Sequence, residues 1–199
     1  MMHPNTELRF IDHTLGFGVF AGAFIPKGTI TWARDDLDRV VDASVVASLD
    51  EDRKERFLNY TYRDRDGRYL LLWDHGRYMN HDFNASTVAT AYDLELAVRD
   101  ILPGEELTCD YRALNIDFPL ESLREGADNG RVVRIGEMAD VYREVDRKIA
   151  DAFSCFAGVD QPLRHLVGKE YREKIVRITE RGETPDSILT TFYDRAGNG

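Results

Sequence analysis

The stretch RYMNHDFNASTVATAYDLELAVRDILPGEELTCDY (77–111) decides the fold. It opens on an Asn-His pair, Asn80-His81, and closes on an Asp-Tyr pair, Asp110-Tyr111. Between them TVATAYD (87–93) and LELAVRD (94–100) alternate apolar and polar residues, the period of antiparallel strands, with Asp93 near the reversal. Pro103-Gly104 supplies a turn before a short strand, LTC. Hydrogen-bonding and aromatic side chains thus gather at both ends of one compact hairpin unit, as they do around a small-molecule site.

Upstream, ELRFI (7–11) reads as a strand, and a tight turn holds Gly16 and Gly18 on either side of Phe17. The third glycine, Gly22, falls one residue late for a dinucleotide fingerprint, and β-branched and aromatic residues follow, so this is a turn between strands. Its glycines either let a ligand approach the backbone closely or permit positive φ. Pro26-Lys27-Gly28 then turns the chain into the strand TITWA (29–33). Asp42 and Asp50 stand as caps of two short helices carrying Val45, Val46 and Leu49, then Phe57 and Leu58. Tyr60 and Tyr62 follow, and either line a pocket or pack on one face of an edge strand. After the turn Arg65-Asp66-Gly67, RYLLLW (68–73) is a further strand. No βαβ alternation and no internal repeat is visible.

Downstream the composition changes. Residues 119–135 read as a loop with Gly126, Asn129 and Gly130. EMADVYREVDRKIADAF (137–153) puts Met138, Val141, Val145, Ile149 and Ala152 on one helical face. Pro162 fits the first turn of a second helix, LRHLVGKEYREKIVRI (163–178). The tail after Gly182 is expected to fray beyond Tyr193.

A chain of 199 residues with 43% apolar and 31% charged residues suits one domain with an extension, or two small ones. The formal net charge of -10, with no basic patch, argues against direct nucleic-acid binding and favours a basic partner. No apolar run approaches ~20 residues, so no membrane span is expected. The start, MMHPNTELRF, lacks the features of a signal peptide. Two cysteines, Cys109 and Cys155, suffice for neither a disulfide framework nor a four-cysteine zinc site, which points to a reduced, cytoplasmic protein.

Three separated segments, in order, resemble the SET-domain family of protein-lysine methyltransferases. LGFGVFA resembles its first motif, RYMNHDFNAS its Arg-Phe-x-Asn-His-Ser-x-x-Pro-Asn segment, and GEELTCDYR its closing Gly-Glu-Glu-Leu-Thr-Tyr-Asp-Tyr. The resemblance covers residues 7–112 and implies a mainly β fold, the β-clip or SET fold. In it several small curved sheets are joined by a pseudoknot, an exception to the rule against threading. It implies a SET domain over 1–118 with a helical insert at about 35–60, and an α-helical extension over 119–199. It also implies S-adenosyl-L-methionine as cofactor, lying against Gly16, Phe17 and Gly18 and held by Asn80 and His81. Tyr111 would be the catalytic tyrosine, also touching the cofactor, and the target lysine would enter from the other side. The amine must be neutral to attack, so burial near a sulfonium has to lower a pKa near ~10.4. Alignment and electrostatics then carry the reaction, without metal or dedicated base.

The chain departs from that pattern at Phe83, Ala85 and Ser86, and most consequentially at Cys109, where the family has an aromatic residue. A thiol there predicts a roomier lysine pocket, compatible with di- or trimethylation. FSCFAGVDQPLR (153–164) resembles a cysteine-rich zinc segment that has kept only Cys155, Gly158 and Arg164. The helices are therefore expected to close the channel instead, with Phe153 and Phe156 joining Tyr60, Tyr62 and Cys109 in its walls. The reading that follows is a lysine methyltransferase acting on a basic protein. Its rival is a catalytically silent SET-fold binding module that keeps the fold, with or without the cofactor site.

Overall fold

The computed structural model describes residues 1–123, 126 and 128–195. The glycine turn builds the first hairpin, in which β1 (Thr6–Asp12) and β2 (Gly16–Ala21) run antiparallel. Asp12 Oδ1 reverses the chain by accepting from the Thr14 and Leu15 N–H groups, both at 2.7 Å. Gly16 completes the turn at φ 74°, where a Cβ is disfavoured. After β3 (Ile30–Ala33) comes the insert: β4 (Arg39–Val41), α1 (Ala43–Ala47), α2 (Glu51–Leu58), β5 (Thr61–Arg63) and β6 (Tyr69–Leu71). Its strands form their own sheet in the order β4-β6-β5. Asp50 caps α2 through the Arg53 N–H at 2.9 Å, whereas Asp42 stands at the cap of α1 without a side-chain bond.

The main sheet is completed by β7 (Asn80–His81), β8 (Thr87–Ala89), β9 (Leu94–Ala97) and β10 (Glu106–Cys109). Its order is β1-β2-β10-β8-β9-β3, with β7 also beside β10. β8 and β9 form the antiparallel pair expected, and Asp93 makes the reversal at φ 55°. β10 is antiparallel to β2 but parallel to β7 and β8, which sets Asn80 beside Thr108 and His81 beside Cys109. The two end motifs of the stretch 77–111 are thereby neighbours in space. The whole is a mainly β fold of several small sheets with a helical C-terminal region.

Within the expected loop, β11 (Leu120–Glu121) pairs with β12 (Val132–Val133). α3 (Met138–Phe156) runs three residues past the expected helix, and α4 (Lys169–Arg181) begins six residues after the expected start at Leu163. Gln161 accounts for the late start. Its side chain accepts from the Ile30 N–H at 2.9 Å and donates to the Gly28 and Phe156 carbonyls at 2.8 and 3.0 Å. The chain is thus tied to β3, makes a single 3-10 turn over Arg164–Leu166, and enters α4 from Gly168. The tail docks up to Tyr193, whose N–H donates to Asn115 Oδ1 at 2.9 Å, and within the stretch expected to fray Arg195 pairs with Asp117 at 2.8 Å. Residues 196–199 lie outside the described residues.

The alternation of β9 divides the interior. Leu94 and Leu96 face a core shared with Ile149, Ala152, Phe153 and Phe156 of α3. Ala97 joins a second core with Val19, Leu107 and Cys109. Phe153 and Phe156, expected as channel walls, are buried on the helical side, with Phe153 edge-on to Tyr92 at 5.7 Å. They share a helical stripe with Ile149 and Ala152, and that stripe finds its apolar partner on the outer face of β8 and β9. The helices therefore cover the sheet, and neither phenylalanine reaches the cavity that Tyr60, Tyr62 and Cys109 line.

Candidate active site

On the inner side lies a cavity of ≈ 130 Å³, far more than one water requires. It gathers Tyr60 and Tyr62 from the insert with Cys109 and Tyr111 from the closing strand, so four expected site residues meet in one place. The segment 114–120 supplies the wall once assigned to the helices. That wall is fastened to β5: the Arg63 N–H donates to the Asn115 carbonyl at 3.0 Å, and Arg63 Nε reaches Asp117 at 2.9 Å.

Tyr111 is held at two points, and the turn that carries it at a third. Its hydroxyl donates to the Met79 carbonyl at 2.6 Å, and its N–H donates to His81 Nδ1 at 3.1 Å. Burial lowers the pKa of His81, which keeps the ring neutral and Nδ1 able to accept. Asp110 caps the turn that carries Tyr111, accepting from the Arg112 N–H at 3.0 Å and from Arg112 Nη2 at 2.6 Å. Both members of that ion pair are buried, and Arg112 also reaches Glu144 of α3 at 3.4 Å. Helix α3 thus steadies the turn that carries Tyr111 from behind.

Asn80 sews the glycine turn to this centre, donating through Nδ2 to the Phe17 carbonyl at 3.0 Å and to Glu106 Oε1 at 2.9 Å. A Cβ on Gly18 would lie 2.7 Å from Glu106 Oε1 and from Ile11 Cδ1, so any larger residue there would push those two side-chain ends aside. Gly16 faces open space, and Phe17 is exposed in an edge-to-face row with Tyr78, which in turn meets Tyr60. The departures at 83 and 86 have local explanations. Phe83 packs edge-on against His81 at 4.4 Å, and Ser86 clamps β10 by exchanging hydrogen bonds with Thr108 at 2.9 and 3.1 Å.

Residues 16–112 match the family described as SET domain. The chain belongs to the SET-domain family. No curated protein matches it. A SET domain is a methyltransferase-type fold, and members of the family are in general lysine methyltransferases that bind S-adenosylmethionine and act on proteins. Among the described residues, no helix is long and apolar enough to cross a membrane. The site fits a ligand carrying a carboxylate: Arg77 Nε is buried on the cavity wall without a hydrogen-bond partner among the described residues.

Sequence reasoning missed Arg77, the wall 114–120 and Glu95. Glu95 lines the same cavity and is nearly fully buried. Burial pushes its carboxyl up to about 7, against hydrogen bonds from Thr87 and the Cys109 thiol. The signal available was one carboxylate between two leucines of an otherwise apolar strand. Cys109 itself is buried, and its thiol is pushed well above its ordinary value. Beside it stands the Glu95 carboxyl, where the thiol alone predicted plain empty room.

Proposed function

We propose that this protein is a cytoplasmic, S-adenosylmethionine-dependent protein-lysine N-methyltransferase that acts on a basic protein. The observation that carries the reading is the meeting in one cavity of Tyr111, tied to the Met79 carbonyl, with Arg77 Nε, which has no hydrogen-bond partner among the described residues. S-adenosylmethionine, when bound, supplies an electrophilic methyl group on a sulfonium. Arg77 would pair with its carboxylate, and the Gly16-Phe17-Gly18 turn with Asn80 and His81 would form the rest of its seat. Tyr60 and Tyr62 would enclose the aliphatic stem of the lysine and strip water from its amine, which favours the neutral nucleophile. The Tyr111 hydroxyl donates its hydrogen bond to the Met79 carbonyl, which turns its oxygen into an acceptor that would orient the amine or the methyl group. The net charge of -10 supports a basic partner.

Calorimetric titration with S-adenosylmethionine tests the cofactor, with Tyr111→Phe run alongside. Both proteins should bind it in the micromolar range. With radiolabelled cofactor and poly-lysine as acceptor, Tyr111→Phe should lose about a hundredfold in methyl transfer, as expected when one positioned hydroxyl is removed. If neither protein binds the cofactor, the silent-module reading replaces this one.

A further inference from the structure

Glu95 is a buried carboxyl group without a matching cation. Tyr62, Leu114 and Glu95 line both the substrate cavity and a second cavity of ≈ 170 Å³, so these residues partition the two spaces. Among the described residues, no basic side chain forms an ion pair with Glu95. Its hydroxyl partner is contested as well. Thr87 Oγ1 lies 2.9 Å from Glu95 Oε2 and 3.0 Å from the Thr108 carbonyl, and one proton serves one acceptor. A protonated Glu95 satisfies the chain, donating to Thr87, which donates to Thr108. An ionised Glu95 takes the Thr87 proton and leaves the Thr108 carbonyl without it. A buried site arranged in this way gains when a cation with N–H donors arrives.

Resting on the methyltransferase reading, we propose that Glu95 receives the substrate amine at the inner end of the cavity, pairing with the ammonium and then accepting the proton that must leave. The N–H bond breaks, its electrons stay on nitrogen as the attacking lone pair, and an O–H bond forms on Glu95. The proton then passes to water through the second cavity. An acceptor works best when its two forms are both populated near the working pH, and the carboxyl, at about 7, meets that condition. The facing groups do not compete. Cys109 and Tyr62 are held neutral by burial. In the second cavity Asp93 pairs with Arg34, Arg63 with Asp117, and Arg68 with Asp64 and Asp66, while Arg65 on the same lining makes no ion pair with Glu95. Arg77 lies on the substrate side, where the proposed function engages it with a carboxylate.

The test is a titration of butylamine, the lysine side chain without its backbone, into wild type and Glu95→Gln by ligand-observed NMR. Both proteins are first titrated with S-adenosylmethionine. Wild type should bind butylamine about tenfold more tightly at about pH 8.5 than at about pH 6, following ionisation of the carboxyl. Glu95→Gln, which keeps the shape of the side chain, should lose about tenfold at the higher pH and show no pH dependence. An affinity within about twofold of wild type at about pH 8.5, or a wild type that binds evenly across pH, overturns the assignment. If cofactor binding persists in that case, the methyltransferase reading survives without Glu95. If neither protein takes cofactor or amine, both readings fall together.

Discussion

β9 contributes four residues, and its two faces have opposite fates. Leu94 and Leu96 close against the helices, where Phe153, Phe156 and Ile149 complete an apolar core. Glu95, one residue away from each leucine, faces a cavity that the sheet and the insert leave open. The closed face is a stability device, since every buried methylene there adds to burial. The open face carries a carboxyl that the fold tolerates best when neutral. A strand flanked on both sides can thus build a core and the lining of a cavity from alternate residues.

Truncating the closed face should have the largest effect. Phe153→Ala should cost about 4 kcal/mol in denaturant unfolding, yet leave affinity for S-adenosylmethionine and butylamine unchanged in the folded protein. Weakened amine binding with unaltered unfolding would show that the faces are not separate.

On the open face the effect has the opposite sign. The Glu95 carboxyl is raised from an ordinary 4.5 to about 7 on folding. The stability it allows is therefore full below about pH 4.5 and lost as pH rises through about 7. Glutamine cannot ionise, so Glu95→Gln should match wild type in acid and exceed it by roughly 3 kcal/mol above about pH 8. Equal stability of the two proteins at high pH would mean that Glu95 finds compensation when ionised.

The smallest change sharpens the same point. Thr87→Val should cost about 1 kcal/mol at low pH, through the lost hydrogen bond to Thr108. It should also move the titration of Glu95 upward, because the Thr87 bond favours the ionised carboxyl. Carboxyl-selective NMR titration would read that shift, and a downward shift would contradict the arrangement.

Much of this was legible in the residues. The three motifs lie where the family match and the main sheet now put them, and the hairpin 87–97 and the stripe of α3 follow from their periods. The late start of α4 was not legible, because Gln161 takes its partners from Gly28 and Ile30, more than a hundred residues away. The side of the sheet that Phe153 and Phe156 cover was equally hidden. A helical stripe states that it must be buried and leaves its partner unnamed.

The sequence by itself determined the strands β1, β2, β3, β6, β8, β9 and β10 with their turns, the helical stripe of α3 and the residue types at the site, because periodicity, turn chemistry and capping act over a few neighbours. Tertiary structure alone decided that Asn80-His81 lies parallel to Thr108-Cys109, that 114–120 walls the cavity, and that Glu95 looks into it. Those relations join residues far apart in the chain, and the free energy that selects them comes from packing whole sheets and helices together rather than from any local segment.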